Sequence, residues 1–104
     1  MSTSKDFLTY ILDNLSGLDG ITCRQMMGEY MIYYHGKIVS YLCDNRMLVK
    51  LVPSALRLLP EAPHEPPYEG AKDMILVENV DDRDFLEQLF TEMLPELPEP
   101  KKKK

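Results

Sequence analysis

The sequence predicts an α+β fold, an antiparallel β-meander sheet with N-terminal and C-terminal helices packed on one face. Three observations carry this. Apolar residues recur at helical spacing near both ends of the 104-residue chain. Between them lie successive runs rich in strand-forming residues, separated by short turns. One further β-type run precedes the last helix, an order that suits helices packed on an antiparallel sheet.

The first element is a helix over about residues 4–16. Thr3 to Asp6 have the form of a capping box, Phe7, Leu8, Ile11, Leu12 and Leu15 share one face, and Gly17 suits the position after the helix end. After the Leu18-Asp19-Gly20 turn the period changes to two. Ile21, Cys23, Gln25 and Met27 alternate with Thr22, Arg24 and Met26, as in a strand with one solvated face. Gly28 breaks that run, and Tyr30 to Tyr34 form the next. His35-Gly36 is a hairpin signal, with Gly36 supplying the positive φ, and leads into Lys37–Cys43. Asp44-Asn45 makes another turn before a third run, Arg46–Val52, which Pro53 ends.

Ser54–Leu59 reads as a short helix closed by Pro60. Glu61 to Gly70 contains Pro63, Pro66, Pro67 and Gly70 and is expected to be an irregular loop. Met74–Val77 is a short strand. Asp81 is the expected cap of the last helix, whose apolar face is Phe85, Leu86, Leu89, Phe90, Met93 and Leu94, with Pro95 as its stop. The expected organisation is one domain over residues 1–95 and a Pro/Lys-rich disordered tail over 96–104.

Composition narrows the function classes. The formal net charge is −5, but the four lysines at the end mask an acidic body: residues 1–100 carry −9. Such a body does not track a phosphate backbone by charge alone, so nucleic-acid contact would need a local patch or the tail. No apolar stretch reaches the length of a membrane span, and the polar first residues do not resemble a signal peptide. A cytoplasmic protein with no membrane partner is expected, its two cysteines, Cys23 and Cys43, reduced and buried; a disulfide between strands is the alternative.

Catalytic chemistry finds little support. Both cysteines fall mid-strand, whereas a reactive thiolate needs an exposed electropositive setting. His35 and His64 fall in a turn and a loop, and the four Cys and His side chains have no zinc-ligand spacing. The carboxylates Asp81, Asp82 and Asp84 suit helix capping, and the glycines are dispersed among turns. No catalytic residue, metal or cofactor is expected. Tyr30, Tyr33, Tyr34 and Tyr41, with Arg24, Lys37, Arg46 and Lys50, could form a base-stacking platform, although tyrosine is also an ordinary strand residue. Arg46 stands out at the start of a strand, where an ion pair with Asp44 or Glu29 is the structural alternative to a binding role.

The block Met26–Lys50 resembles the N-terminal domain of the TfoX/Sxy family. The matching features are Met26-Met27-Gly28, the Gly36-Lys37 hairpin, Asp44-Asn45-Arg46 through Lys50, and the later Pro67-Tyr68 loop; the resemblance covers about residues 5–94. It departs at Glu29, where the family pattern has a small residue. The resemblance implies a meander sheet with flanking helices. It also implies a non-enzymatic role, because full-length members are bacterial regulators that promote competence genes with a cyclic-AMP receptor protein. Those regulators carry a second, helical domain that these residues do not include.

The expected function is therefore a regulatory interaction module that acts through a protein partner, with Gly28, Arg46 and Lys50 in the contact region. A nucleic-acid-binding domain using Tyr33, Tyr41, Arg24 and the lysine tail is the rival reading, and a small-ligand protein or enzyme is the third. An edge strand of the meander could pair two copies, which makes a homodimer one expected assembly.

Overall fold

A computed structural model describes residues 3–26 and 28–98. Met27, expected in the first strand, and residues 99–104 of the expected tail lie outside the described residues. The chain folds as α1 (Lys5–Asn14), β1 (Ile21–Met26), β2 (Glu29–Tyr34), β3 (Lys37–Cys43), β4 (Arg46–Val49), α2 (Pro53–Leu58), β5 (His64–Glu65), β6 (Met74–Val77) and α3 (Arg83–Met93), followed by a 3-10 turn over Leu94–Glu96. All six strands form one antiparallel sheet in the order β1-β2-β3-β4-β6-β5.

Two tight turns build the meander. His35 and Gly36 both take positive φ, 51° and 81°, and so do Asp44 and Asn45, each at 56°. Positive φ at both central positions is the geometry whose twist matches that of paired strands, and Asp, Asn and His tolerate it better than other non-glycine residues. Between β2 and β3 the register slips: Ile32 faces Ser40 while Tyr33 faces Ile38. Val39 is the extra residue, a β-bulge, and its side chain is buried in the core.

The helices cover one face. Leu8, Ile11 and Leu15 from the α1 region and Leu86, Leu89, Phe90 and Met93 from α3 pack with Tyr30, Ile32, Tyr34, Leu42, Met47, Val49, Ile75 and Val77 of the sheet. The two long helices supply the lid of this inner face, and in β1, where the sequence showed alternation, Ile21 and Cys23 face it half-buried while Gln25 is exposed.

Element ends differ from expectation for local reasons. Ser4, not Thr3, caps α1 by accepting from the Phe7 amide at 3.1 Å. Helix α1 closes at Leu15 rather than next to Gly17. Asp82, not Asp81, caps α3 through the Phe85 amide. The third run of the meander is shorter than expected: β4 ends at Val49, the Lys50 amide makes the last ladder bond to the Val39 carbonyl opposite it at 3.1 Å, and the Val52 amide then turns back to the Lys50 carbonyl at 3.0 Å. The Pro-rich segment is not wholly irregular, since His64–Glu65 pairs with Ile75 and Met74.

Pro95 is the expected stop of α3, but the ordered chain continues past it. The proline sits in the 3-10 turn, where its missing N–H costs nothing at the first positions. Leu97 beyond it is buried in the core. Glu96 accepts from the Ser54 amide at 2.7 Å, so it caps α2 from a distant part of the chain. That hydrogen bond from the Ser54 amide, helped by the Ser54 side chain, holds the Glu96 carboxyl below its usual range. Both cysteines are free, with Cys43 buried and Cys23 half-buried, so the alternative of an inter-strand disulfide does not hold.

Candidate functional site

Among the described residues, the opposite face of the sheet carries no helix. Register places Arg24, Met31, Tyr41, Leu48 and Leu76 side by side across five strands on this outer face. A small second cluster lies here: Cys43, Leu48 and Met74 are buried, with Tyr41 and Leu76 packed against them. The segment after β5 folds over one side of it and leaves Tyr68 58% exposed, while Met26 at the other side is 46% exposed.

Arg46 holds that segment in place. Its Nη1 pairs with Glu65 Oε1 at 2.5 Å, its Nη2 donates to the Pro67 carbonyl at 3.4 Å and its Nε donates to the Cys43 carbonyl at 3.3 Å. The expected structural partners, Asp44 or Glu29, are not the ones it takes. One guanidinium thus joins the β3–β4 turn to the buried Pro67 and sets the position of the adjacent Tyr68.

Gly28 belongs to a different construction at the same end of the sheet. Its φ is 84°, and its carbonyl accepts from the Thr3 amide at 3.1 Å. The Thr3 hydroxyl lies 2.6 Å from Glu29 Oε1 and 2.9 Å from the Leu42 carbonyl. Glu29 Oε1 also accepts from the Asp44 amide at 3.1 Å, and the Asn45 side chain accepts from the Ser4 amide at 2.9 Å. Glu29, the residue at odds with the family pattern, therefore ties the start of the chain to the β3–β4 turn.

Two hollows open on the outer face and share Tyr41 and Tyr68. One, about 400 Å³, is lined by Met26, Glu29, Met31, Tyr41, Cys43 and Tyr68 and is mostly apolar. The other, about 440 Å³, adds Lys50, Lys72 and Asp73. Lys50 Nζ stands 5.9 Å from the centre of the Tyr41 ring, within cation–π range. Burial, then the neighbouring Tyr68, Tyr33 and Cys43, push the Tyr41 hydroxyl above its ordinary pKa. Burial, reinforced by Glu29 and opposed by Arg46, pushes the Cys43 thiol up to about 11, so it stays protonated and unreactive at neutral pH. A larger hollow of about 600 Å³ at the start of α3 is shallow and polar, formed by Asn79 and the residues Asp81 to Asp84 that surround the helix cap.

The expected contact residues thus border one face in different ways. Arg46 supports the cleft from beneath, Lys50 lines it, and Gly28 shapes the turn beside Glu29. Tyr33 and Tyr41 also face outward, whereas Tyr30 and Tyr34 are core residues, the latter 6.2 Å from Phe90 between ring centres. Tyr68, Met26 and Met31 were not expected at the site. Tyr68 belongs to a segment distant in sequence, and only the Pro67-Tyr68 motif pointed to it. Among the described residues, no three His, Cys, Asp or Glu side chains are grouped to hold a metal ion, and no helix is long and apolar enough to cross a membrane.

A small α+β domain with an open antiparallel sheet, helices on one face and an aromatic-rimmed cleft on the other is the class these features define. The family model for the TfoX N-terminal domain matches residues 13–92, and the chain belongs to that family. It is also 31% identical over 107 residues to a protein of Spirochaeta aurantia described as an uncharacterized 12.7 kDa protein in the trpE 5′ region, an alignment covering 100% of this chain and 91% of that protein. No solved structure matches.

Proposed function

We propose that this domain is a non-enzymatic interaction module in gene regulation and that a protein partner docks on the outer face of its sheet. The partner segment inserts an apolar or aromatic side chain between Tyr41 and Tyr68 and sets a carboxylate against Lys50 and Lys72. The observation that carries this reading is the cleft itself, an apolar surface left open on one face while the other is fully covered, with amines at one end. Membership of a family that is generally regulatory rather than catalytic supports it.

The test is a pulldown from nuclease-treated lysate of the protein's own host. Native bait is expected to retain a transcription-associated protein that Tyr68→Ala and Lys50→Glu lose, while Gln88→Ala, exposed on α3, keeps it. Equal retention by all four baits would remove the outer face as the docking surface.

One observation favours the nucleic-acid reading as the second choice: Arg24, Tyr33 and Tyr41 share that same face. Its signature is binding to single-stranded oligonucleotide that weakens steeply with salt and depends on both tyrosines. No binding at low salt would discard it.

A further inference from the structure

The two edges of the sheet are unlike. β5 is two residues long and lies among Pro63, Pro66 and Pro67, so it offers almost no surface for another strand. β1 is six residues long, pairs with β2 without a bulge and, among the described residues, has nothing paired on its other side. Thr22, Arg24, Gln25 and Met26 are exposed, and no proline or inward-pointing charge guards the strand.

The hydrogen-bond phase of this free edge can be worked out. The His35 amide donates to the Gly20 carbonyl at 2.9 Å, which makes Gly20 and His35 a hydrogen-bonded pair. The register runs unbroken from there, Ile21 facing Tyr34 through Met26 facing Glu29. Hydrogen-bonded and non-hydrogen-bonded pairs alternate along an antiparallel ladder. Thr22, Arg24 and Met26 therefore spend their backbone groups on β2, while Ile21, Cys23 and Gln25 point theirs outward.

We propose that β1 pairs antiparallel with β1 of a second copy about a two-fold axis at Cys23, joining two sheets into one. A two-fold axis normal to the sheet keeps inner face with inner face, so directly opposed residues must share a face. The two central registers that satisfy this place either Cys23 or Arg24 opposite itself. The second sets two guanidinium groups against each other and is disfavoured. The first pairs Cys23 with the partner's Cys23, Ile21 with the partner's Gln25 and Thr22 with the partner's Arg24. Its three outward-facing pairs are the ones free to exchange bonds, about six in all.

Charge also favours a second copy at this edge. Residues 21–26 contain no carboxylate, in a chain with 17 of them, whereas the other edge strand, β5, contains Glu65. The half-buried, free Cys23 is left facing its counterpart across the axis. This pairing uses the edge, not the outer-face cleft, and does not depend on the docking reading.

Sedimentation equilibrium over micromolar to millimolar concentration tests it. The native chain is expected to reach twice its 12.0 kDa mass. Gln25→Pro removes an outward amide that β2 does not use, so it should remain folded by circular dichroism and become monomeric. Thr22→Lys, on an exposed position facing the partner's Arg24, should weaken association about fivefold, and Thr22→Glu should strengthen it by a similar factor. A short bismaleimide should join two chains in the native protein and in Cys43→Ser, but not in Cys23→Ser. A monomer throughout the range would overturn the proposal. So would a dimer indifferent to both Thr22 substitutions and not crosslinked through Cys23.

Discussion

The two faces of the sheet are made from the same strands yet are covered differently. On the inner face, residues from β2, β3, β4 and β6 meet α1 and α3 in one continuous core in which Phe90, Ile32, Leu42 and Ile75 are fully buried. On the outer face, Cys43, Leu48 and Met74 form only a small cluster, and its cover is a proline-rich segment held by Arg46. The contrast teaches how one sheet can be closed on one side and open on the other: the inner side is closed by helices, and the outer side, proposed above for docking, is left apolar and open around Tyr41 and Tyr68.

The division can be broken from either side. The largest effect should come from Phe90→Ala, which empties a fully buried position beside Tyr34 and should cost about 3–5 kcal/mol in chemical denaturation. Arg46→Ala should cost about 1–2 kcal/mol, because its ion pair is partly exposed and screened and its hydrogen bonds to carbonyls are long. Its more telling consequence should be local, with faster proteolysis between residues 60 and 72 and little change elsewhere. If Arg46→Ala instead destabilised the protein as much as Phe90→Ala, the two faces would not be separable.

A smaller effect is expected at Glu96. Its carboxyl is held below the usual glutamate value by the Ser54 amide, so the contribution to stability is present above about pH 4.3. That contribution is lost as pH falls through the lowered folded value. Glu96→Gln should therefore narrow the gap in melting temperature between neutral and acidic pH, measured on both proteins in parallel. The smallest effect on stability belongs to Tyr68→Ala, within about 0.5 kcal/mol because the ring is largely exposed, although the same change should abolish partner retention. Such a variant, folded but unable to bind, would sharpen the distinction between the faces.

Much of this architecture could be read before any coordinates. The helical spacing of Leu8, Ile11 and Leu15, and of Leu86, Leu89, Phe90 and Met93, identified the buried sides of both long helices. The His35-Gly36 and Asp44-Asn45 turns located the hairpins, because few residue pairs accept positive φ twice in succession. Short-range chemistry sufficed in each case. The β5 strand escaped because His64–Glu65 has no periodicity of its own and exists only by pairing with β6. Pro95 ends α3 as expected, but a proline does not say whether Leu97 beyond it will find a place in the core, so the start of the expected tail was misplaced for a related reason.

The candidate site divides in the same way. Arg46 drew attention at the start of a strand and Lys50 through the family resemblance, but nothing local indicated that Arg46 would choose Glu65, nineteen residues away, over Asp44 or Glu29. The sequence by itself determined the two long helices with their inner sides, the hairpin turns and the acidic body, since periodicity, turn residues and charge are properties of neighbours along the chain. Only the tertiary structure decided which strand became the open edge, where Tyr68 came to stand opposite Tyr41, and that Glu29 and Glu96 would fasten segments remote from them. Those outcomes depend on pairings between distant residues, whose geometry exists only after the chain has closed on itself.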